Sequence, residues 1–296
     1  MSTDTGRVLA AYGRQFLVHE PCSGRQVTAL ARGRDLDIAV GDQVRLDTRN
    51  EQQWVILSVV PRRCELKRSV SHRSKVLAAN IDQVAVVLAP SPRYSEEILL
   101  RVSIAANAAG LPLLIIANKV DHPDFAAIVD RLAVYRTIGQ PSVELSARTR
   151  PGEARAELTS WLAGKTTLLC GESGMGKSTL LNILVPDAAQ RTDEISAALG
   201  SGRHTTTSSR SFDLDAHFPP DSRVIDSPGF QQFGLSHLSA SQREHAMPEF
   251  TPWLGSCRFN NCRHHNEPGC AIRAAVNAGG IDRLRHRLFL DIQAQD

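Results

Sequence analysis

No stretch of this chain approaches the ~20 consecutive apolar residues that cross a bilayer, which excludes a membrane-spanning helix. The first twenty residues, MSTDTGRVLAAYGRQFLVHE, lack the basic, apolar and small-residue regions of a secretory signal, so a cytoplasmic location is expected. No internal repeat and no low-complexity segment is present, which argues against a solenoid or a compositionally disordered chain. Aromatic residues make up only 5% of the sequence, within a composition otherwise ordinary for soluble proteins: 42% hydrophobic and 22% charged. The 296 residues suffice for two or three domains with their own cores.

A strong excess of either charge is also missing, since the formal net charge is +3. That small number conceals an asymmetry. Residues 1–75 carry 13 Lys/Arg against 8 Asp/Glu, residues 76–250 carry 15 against 19, and residues 251–296 carry 6 against 4. Basic flanks around an acidic centre suit a polyanionic partner held by the ends, or else an ordinary solvated surface. Cysteine is sparse and uneven. Cys22, Cys64 and Cys170 are scattered and read as small apolar residues, whereas Cys257, Cys262 and Cys270 crowd together beside His264 and His265. In a cytosolic protein such a cluster points to metal rather than disulfides.

Three patterns succeed one another along the chain. GRVLAAYGRQFLV, RQVTALAR, VGDQVRLDT and WVILSVV alternate with turn signals, which predicts about five short strands in a small OB-type β-barrel, with a small sandwich as the alternative. Residues 61–75, PRRCELKRSVSHRSK, are polar and basic and read as a linker, either solvated or lying against phosphates. From about residue 78 apolar strand-like runs alternate with helical spacing, starting with DQVAVVLA, a helix capped by Ser95, and LPLLIIAN. This alternation predicts an α/β domain with a mostly parallel sheet. The end of the chain turns helical, with Ile281, Leu284, Leu288 and Ile292 at helical spacing.

Gly171, Glu172, Ser173, Gly174, Met175, Gly176, Lys177 and Ser178 fit the phosphate-cradling P-loop pattern, between the strand TTLLC and the helix KSTLLNILV, and Thr179 beside them is also expected to bind GTP. Glycines admit close phosphate approach, the loop N–H groups surround the β-phosphate, and Lys177 can span the β- and γ-phosphates. Ser178 is placed to ligate Mg²⁺. Asn118–Lys119–Val120–Asp121 supplies a base-reading signature, because a carboxylate at Asp121 can accept from both guanine N1–H and N2–H while adenine offers no such pair. Ser146–Ala147 resembles the second guanine loop. Asp226–Ser–Pro–Gly229 looks like the switch in which Asp226 holds Mg²⁺ through water and the Gly229 N–H senses the γ-phosphate. Phe230 stands where Ras-like enzymes place a water-orienting Gln, so intrinsic hydrolysis is expected to be slow. Within Gly202–Arg–His–Thr–Thr–Thr207, Thr206 is the expected Mg²⁺ ligand and His204 the residue that orients water. The expected catalytic set is therefore Lys177, His204 and Thr206. In an ordinary GTPase the P-loop precedes Asn-Lys-x-Asp. Here it follows, which is the order of a circularly permuted GTPase.

Cys257, Cys262, His264 and Cys270 offer three thiolates and an imidazole, a set suited to one tetrahedral structural Zn²⁺. His265 is the alternative imidazole. Taken in order, NKVD, SA, GESGMGKS, GRHTTT, DSPGF and this cluster closely resemble the ribosome small subunit-dependent GTPase A family. The resemblance implies a multidomain fold: an N-terminal OB-fold β-barrel (1–68), a central circularly permuted α/β P-loop GTPase domain (69–235) and a mainly helical zinc-binding domain (236–296). It also implies late maturation of the 30S subunit and 30S-stimulated GTP hydrolysis; the basic flanks are expected to grip 16S rRNA, and a monomer is expected. The family's proposed catalytic histidine matches His204. Ser227 stands for the usual Thr, and His122 for the usual Leu. A nucleotide-gated RNA-binding module with negligible hydrolysis is the rival reading, and an ATPase is disfavoured by Asp121.

Overall fold

The structure is a computed structural model that describes residues 4–20, 24–33, 36–48, 54–70, 73–186, 188, 209–227 and 233–296. Alternating buried and outward residues form β1 (Asp4–Tyr12), β2 (Gln15–Glu20), β3 (Arg25–Ala31), β4 (Gln43–Asp47) and β5 (Trp54–Val59). The strands pair in the order β1-β2-β3-β5-β4, and β4 returns to β1, so the sheet closes into the expected barrel. Val8, Phe16, Val18, Ala29, Val44, Leu46 and Ile56 fill its interior. The run 6–18, read as one strand candidate, divides at Gly13–Arg14 into β1 and β2.

Residues 61–75 are not the linker that their polarity suggests. β6 (Glu65–Val70) and β7 (Arg73–Ala79) form an antiparallel hairpin. Its apolar side chains, Leu66, Val76, Leu77 and Ala78, are buried, and neighbouring acids neutralise much of its charge. Arg62 donates to Asp42 at 2.7 Å and to Glu65 at 2.6 Å, while Arg63 pairs with Asp82 at 2.7 Å. Lys67 pairs with Glu65. Hydrogen bonding to the fully buried Asp42 raises the Arg62 pKa. These three cations are committed within the protein rather than offered to phosphates.

The central unit contains β8 (Gln83–Leu88), α1 (Glu96–Ala108), β9 (Leu113–Asn118), α2 (Ala126–Thr137) and β10 (Ser142–Leu145). It continues with α3 (Pro151–Leu162), β11 (Thr166–Gly171), α4 (Lys177–Leu184), β12 (Arg210–Asp213) and β13 (Arg223–Asp226). Every residue of β8 and β9 is buried, as befits strands covered on both faces. Ser95 caps α1 as predicted, accepting the Ile98 N–H at 3.2 Å. The strand order is β10-β9-β8-β11-β13-β12, parallel except for β12. β12 then pairs antiparallel with β1 at Ala10–Arg210, so barrel and central unit share one eleven-stranded sheet. Arg210 also lies over the Tyr12 ring at 5.2 Å, and Arg7 pairs with Asp213 at 3.2 Å.

The last part holds α5 (Ala240–His245), a 3₁₀ turn (Pro248–Trp253), α6 (Ala271–Asn277) and α7 (Arg283–Gln295). Leu235, Met247, Phe250, Ile272, Phe289 and Ile292 share one buried cluster with Leu100, Ile104 and Tyr135 of the central unit. Each such side chain contributes about 1.5–3 kcal/mol on burial. The predicted face of α7 is only partly right. Ile281 and Ile292 are buried, Leu284 and Leu288 half-buried, and the interior positions belong to Arg285 and Phe289. Arg285 donates to Glu249 at 2.6 Å and stacks 4.7 Å from the centre of the Tyr135 ring. Removing Glu249 would leave a buried uncompensated charge, at a cost of about 3–5 kcal/mol.

Candidate nucleotide site and metal centre

The carboxyl ends of β9 and β11 lie on opposite sides of β8, and the loops leaving them line one cavity of about 820 Å³. That volume falls within the usual range for small-ligand pockets. Asn118, Lys119, Asp121, Ala147, Gly171, Glu172, Ser173, Gly174, Gly176, Lys177, Ser178, Thr179 and Asp226 all line it, so segments far apart in sequence meet there.

Asn118 connects three loops. It donates to Met175 O at 2.9 Å and accepts the Ala147 N–H at 3.0 Å. Gly176, at φ +96°, is required here because a Cβ would come within 2.2 Å of Asn118 Nδ2. Lys119 sends its ammonium to Gly174 O at 2.8 Å and Ser91 O at 2.5 Å. The buried Ser146 hydroxyl donates to Asp121, and this bond holds the Asp121 pKa below the usual carboxylate range. A carboxylate kept ionised is an acceptor for two parallel N–H donors.

Lys177, the first residue of α4, donates to Ser227 O at 2.5 Å and pairs with Asp226 at 2.9 Å. Glu172 accepts the Ser95 N–H at 2.6 Å, tying the P-loop to the start of α1. Met175 is buried beneath the loop, and Ser178 and Thr179 open α4 at the cavity wall. His204, Thr206, Gly229 and Phe230 lie outside the described residues. Sequence reasoning missed Ser91, His122 and Arg148 as cavity-lining residues. Arg148 could have been found from its place after Ser146–Ala147, whereas Ser91 carries no pattern at all.

A second constellation stands apart. The donor atoms of Cys257, Cys262, His264 and Cys270 all lie within 4.8 Å of one another. Cys257 Sγ is 3.8 Å from Cys270 Sγ, and His264 Nδ1 is 3.6 and 3.4 Å from those two sulfurs. A tetrahedron with metal–sulfur bonds of roughly 2.3 Å has sulfur–sulfur edges of roughly 3.8 Å, so the donor set fits a divalent cation. His264 adopts φ +63° and turns Nε2 towards Glu244 Oε1 at 3.7 Å, leaving Nδ1 for the cluster. Burial lowers the His264 pKa and favours the neutral imidazole, while burial pushes the Cys262 thiol up to about 12. Metal binding must therefore release thiol protons. His265 is exposed and outside the cluster. Glu267, unnoticed in the sequence, shapes the loop by accepting N–H bonds from Arg263, His265 and Asn266 at 2.9–3.0 Å.

A mostly parallel sheet with a P-loop after β11 and its companion loop after the earlier β9 defines a circularly permuted GTPase. The chain belongs to the RsgA GTPase family, whose profile matches residues 59–236. It is 48% identical over 289 residues to the small ribosomal subunit biogenesis GTPase RsgA of Paraburkholderia xenovorans (strain LB400), covering 97% of this chain and 92% of that one. The protein of the same name from Burkholderia pseudomallei (strain K96243) is 46% identical over 288 residues, covering 97% and 90%. Among solved structures, YjeQ from Thermotoga maritima superposes with a TM-score of 0.75 at 28% identity, over 99% of this chain and 98% of that one. YloQ, described as a circularly permuted GTPase, shares the fold with a TM-score of 0.67 at 22% identity, over 100% and 96%. No helix among the described residues is long and apolar enough to cross a membrane.

Proposed function

We propose that this GTPase is a late maturation factor of the small ribosomal subunit, acting as a monomer in the cytoplasm. It binds 30S particles through 16S rRNA in its GTP form and leaves after hydrolysis. The observation that carries this reading is the convergence of Asn118–Asp121, Ser146–Ala147 and Gly171–Thr179 on one cavity, in a chain whose relatives bear the name of small-subunit biogenesis GTPases. The working units are 1–68 for RNA contact, 69–235 for GTP and 236–296 for the metal.

Asp121 accepts the guanine N–H pair, Lys119 covers the base with its stem, and the Ala147 N–H meets O6. The P-loop N–H groups and Lys177 hold the β- and γ-phosphates. Lys177 gives up Asp226 for the phosphates, exchanging one anionic partner for another. Mg²⁺, held by Ser178 and Thr206 directly and by Asp226 through water, would neutralise charge between the phosphates. His204 orients the attacking water, a task that Phe230 cannot perform, and Gly229 responds to the γ-phosphate. Zn²⁺ on Cys257, Cys262, His264 and Cys270 would supply folding energy to the C-terminal unit, with four protein ligands leaving no position for water.

GTP turnover measured with and without 30S particles tests the reading. A large rise with 30S, together with cosedimentation favoured by a non-hydrolysable GTP analogue over GDP, is expected. A flat, near-zero rate would instead support a nucleotide-gated RNA-binding module.

A further inference from the structure

Residues 233–237 follow the Asp226–Gly229 segment, and three distant elements hold their backbone. Arg101 of α1 donates to Phe233 O at 3.4 Å. Gly234 makes a two-way bridge with Ser69 of β6: Ser69 N–H to Gly234 O at 2.8 Å, and Gly234 N–H to Ser69 O at 3.0 Å. The Leu235 N–H donates to Asp296 Oδ1 at 3.1 Å. Ser69 Oγ accepts the His237 N–H at 3.2 Å and lies 3.0 Å from His237 Nδ1. Arg101 links the parts by pairing with Asp296, with Gln295 at 2.5 Å and with Glu97 at 3.0 Å.

The closest approach falls at Gly234, where a Cβ would stand 2.8 Å from Ser69 O and 3.3 Å from Asp296 Oδ1. The backbone there is not left-handed, so these neighbours alone exclude a side chain. Ser69, Arg101, Phe233 and Leu235 are all buried. On the entry side, the Ser227 N–H donates to Leu169 O at 3.2 Å and its carbonyl accepts from Lys177. The segment is thus fastened to the P-loop where it enters. Where it leaves, it is fastened to the hairpin, α1 and α7.

We infer that Ser69, Arg101 and Asp296 are positioning residues for GTP hydrolysis. They fix residues 233–237, where the described chain resumes after Ser227, and through them support the response of Asp226–Gly229 to the γ-phosphate. The contacts fall on backbone groups of the exit segment, at Phe233 O, Gly234 N and O, Leu235 N and His237 N, so they constrain its path rather than its side chains. Ser69 belongs to the hairpin that follows the barrel, so a displacement of the barrel reaches this segment through β6. The inference rests on reading Asp226–Gly229 as the γ-phosphate-responsive segment.

Steady-state GTP turnover by the full chain with 30S particles, together with GDP affinity and the thermal midpoint, tests it. Gly234→Ala should lower kcat about tenfold with KM and GDP affinity within about twofold of the unmodified chain. Ser69→Ala, the milder change, should lower kcat about threefold, and Ser69→Thr should restore it by keeping the hydroxyl. The inference is overturned if both alanine variants keep full kcat, or if kcat falls only in step with the folded fraction. Asp226→Ala separates the two claims. If it abolishes turnover while Gly234→Ala and Ser69→Ala do not reduce it, only the clamp is wrong. If Asp226→Ala itself turns over normally, the reading of the segment fails and the clamp with it.

Discussion

The nucleotide cavity and the Cys257–Cys270 centre are both built to hold a ligand, and they are built in opposite ways. In the cavity the two lysines have protein partners of their own. Lys177 rests on Asp226 and the Ser227 carbonyl, and Lys119 on the carbonyls of Ser91 and Gly174. A ligand arriving there replaces interactions of similar kind, so the net gain is moderate and exchange is possible. At the metal centre three sulfurs and one imidazole nitrogen face one another, backed by Glu244 and Glu267. Among the described residues no cationic side chain reaches into this donor set. The first design suits a ligand that is consumed and released, and the second a ligand that stays for the life of the fold.

Breaking the permanent site should have the largest effect. Cys262→Ala is expected to abolish stoichiometric zinc and expose residues 251–296 to protease, drawing on the ~10–16 kcal/mol that structural zinc provides in small domains. Metal analysis with limited proteolysis checks this, and unchanged protection would erase the contrast between the sites. At the exchangeable site Lys177→Ala should reduce GTP turnover about a thousandfold, read by phosphate release, because a charge aimed at the transferring group is lost. Its melting point should barely move, since the side chain holds only polar partners at the cavity edge.

Two finer changes sharpen the comparison within the cavity. Asp121→Asn should weaken guanine nucleotides about a hundredfold and shift preference to xanthine nucleotides, measured by competition binding. Ser146→Ala is expected to cost about fivefold in GDP affinity at neutral pH, with a pH dependence of definite sign. The Ser146 hydroxyl depresses the Asp121 pKa, so the intact chain keeps its charged acceptor as pH falls through the ordinary Asp range near ~3.9. The variant returns towards that range and loses affinity at a higher pH. Fluorescence titrations between neutral pH and about 4 would show the ratio widening, and parallel curves would rule the mechanism out.

Much of this architecture was legible because it rests on patterns that physics makes local. Buried parallel strands are continuous apolar runs, so β8 and β9 stood out. Phosphate binding demands glycines at fixed spacing, and the four donors of this tetrahedral centre happen to fall between Cys257 and Cys270. The hairpin β6–β7 was hidden because the cations at its start are matched partly by Asp42 and Asp82, residues that only the fold brings near. Arg285 was hidden for a related reason: helical spacing marks apolar faces, and a buried arginine satisfied by Glu249 of another element leaves no trace in its own.

The single sheet joining barrel and central unit has a further consequence. Without β1, strand β12 would have β13 on one side and bare N–H and C=O groups on the other. Such an edge is a template for pairing with another copy. By pairing with β12 at Ala10–Arg210, β1 covers that edge. A chain shortened to begin after β5 should associate edge to edge in a concentration-dependent way even where its nucleotide cavity is intact.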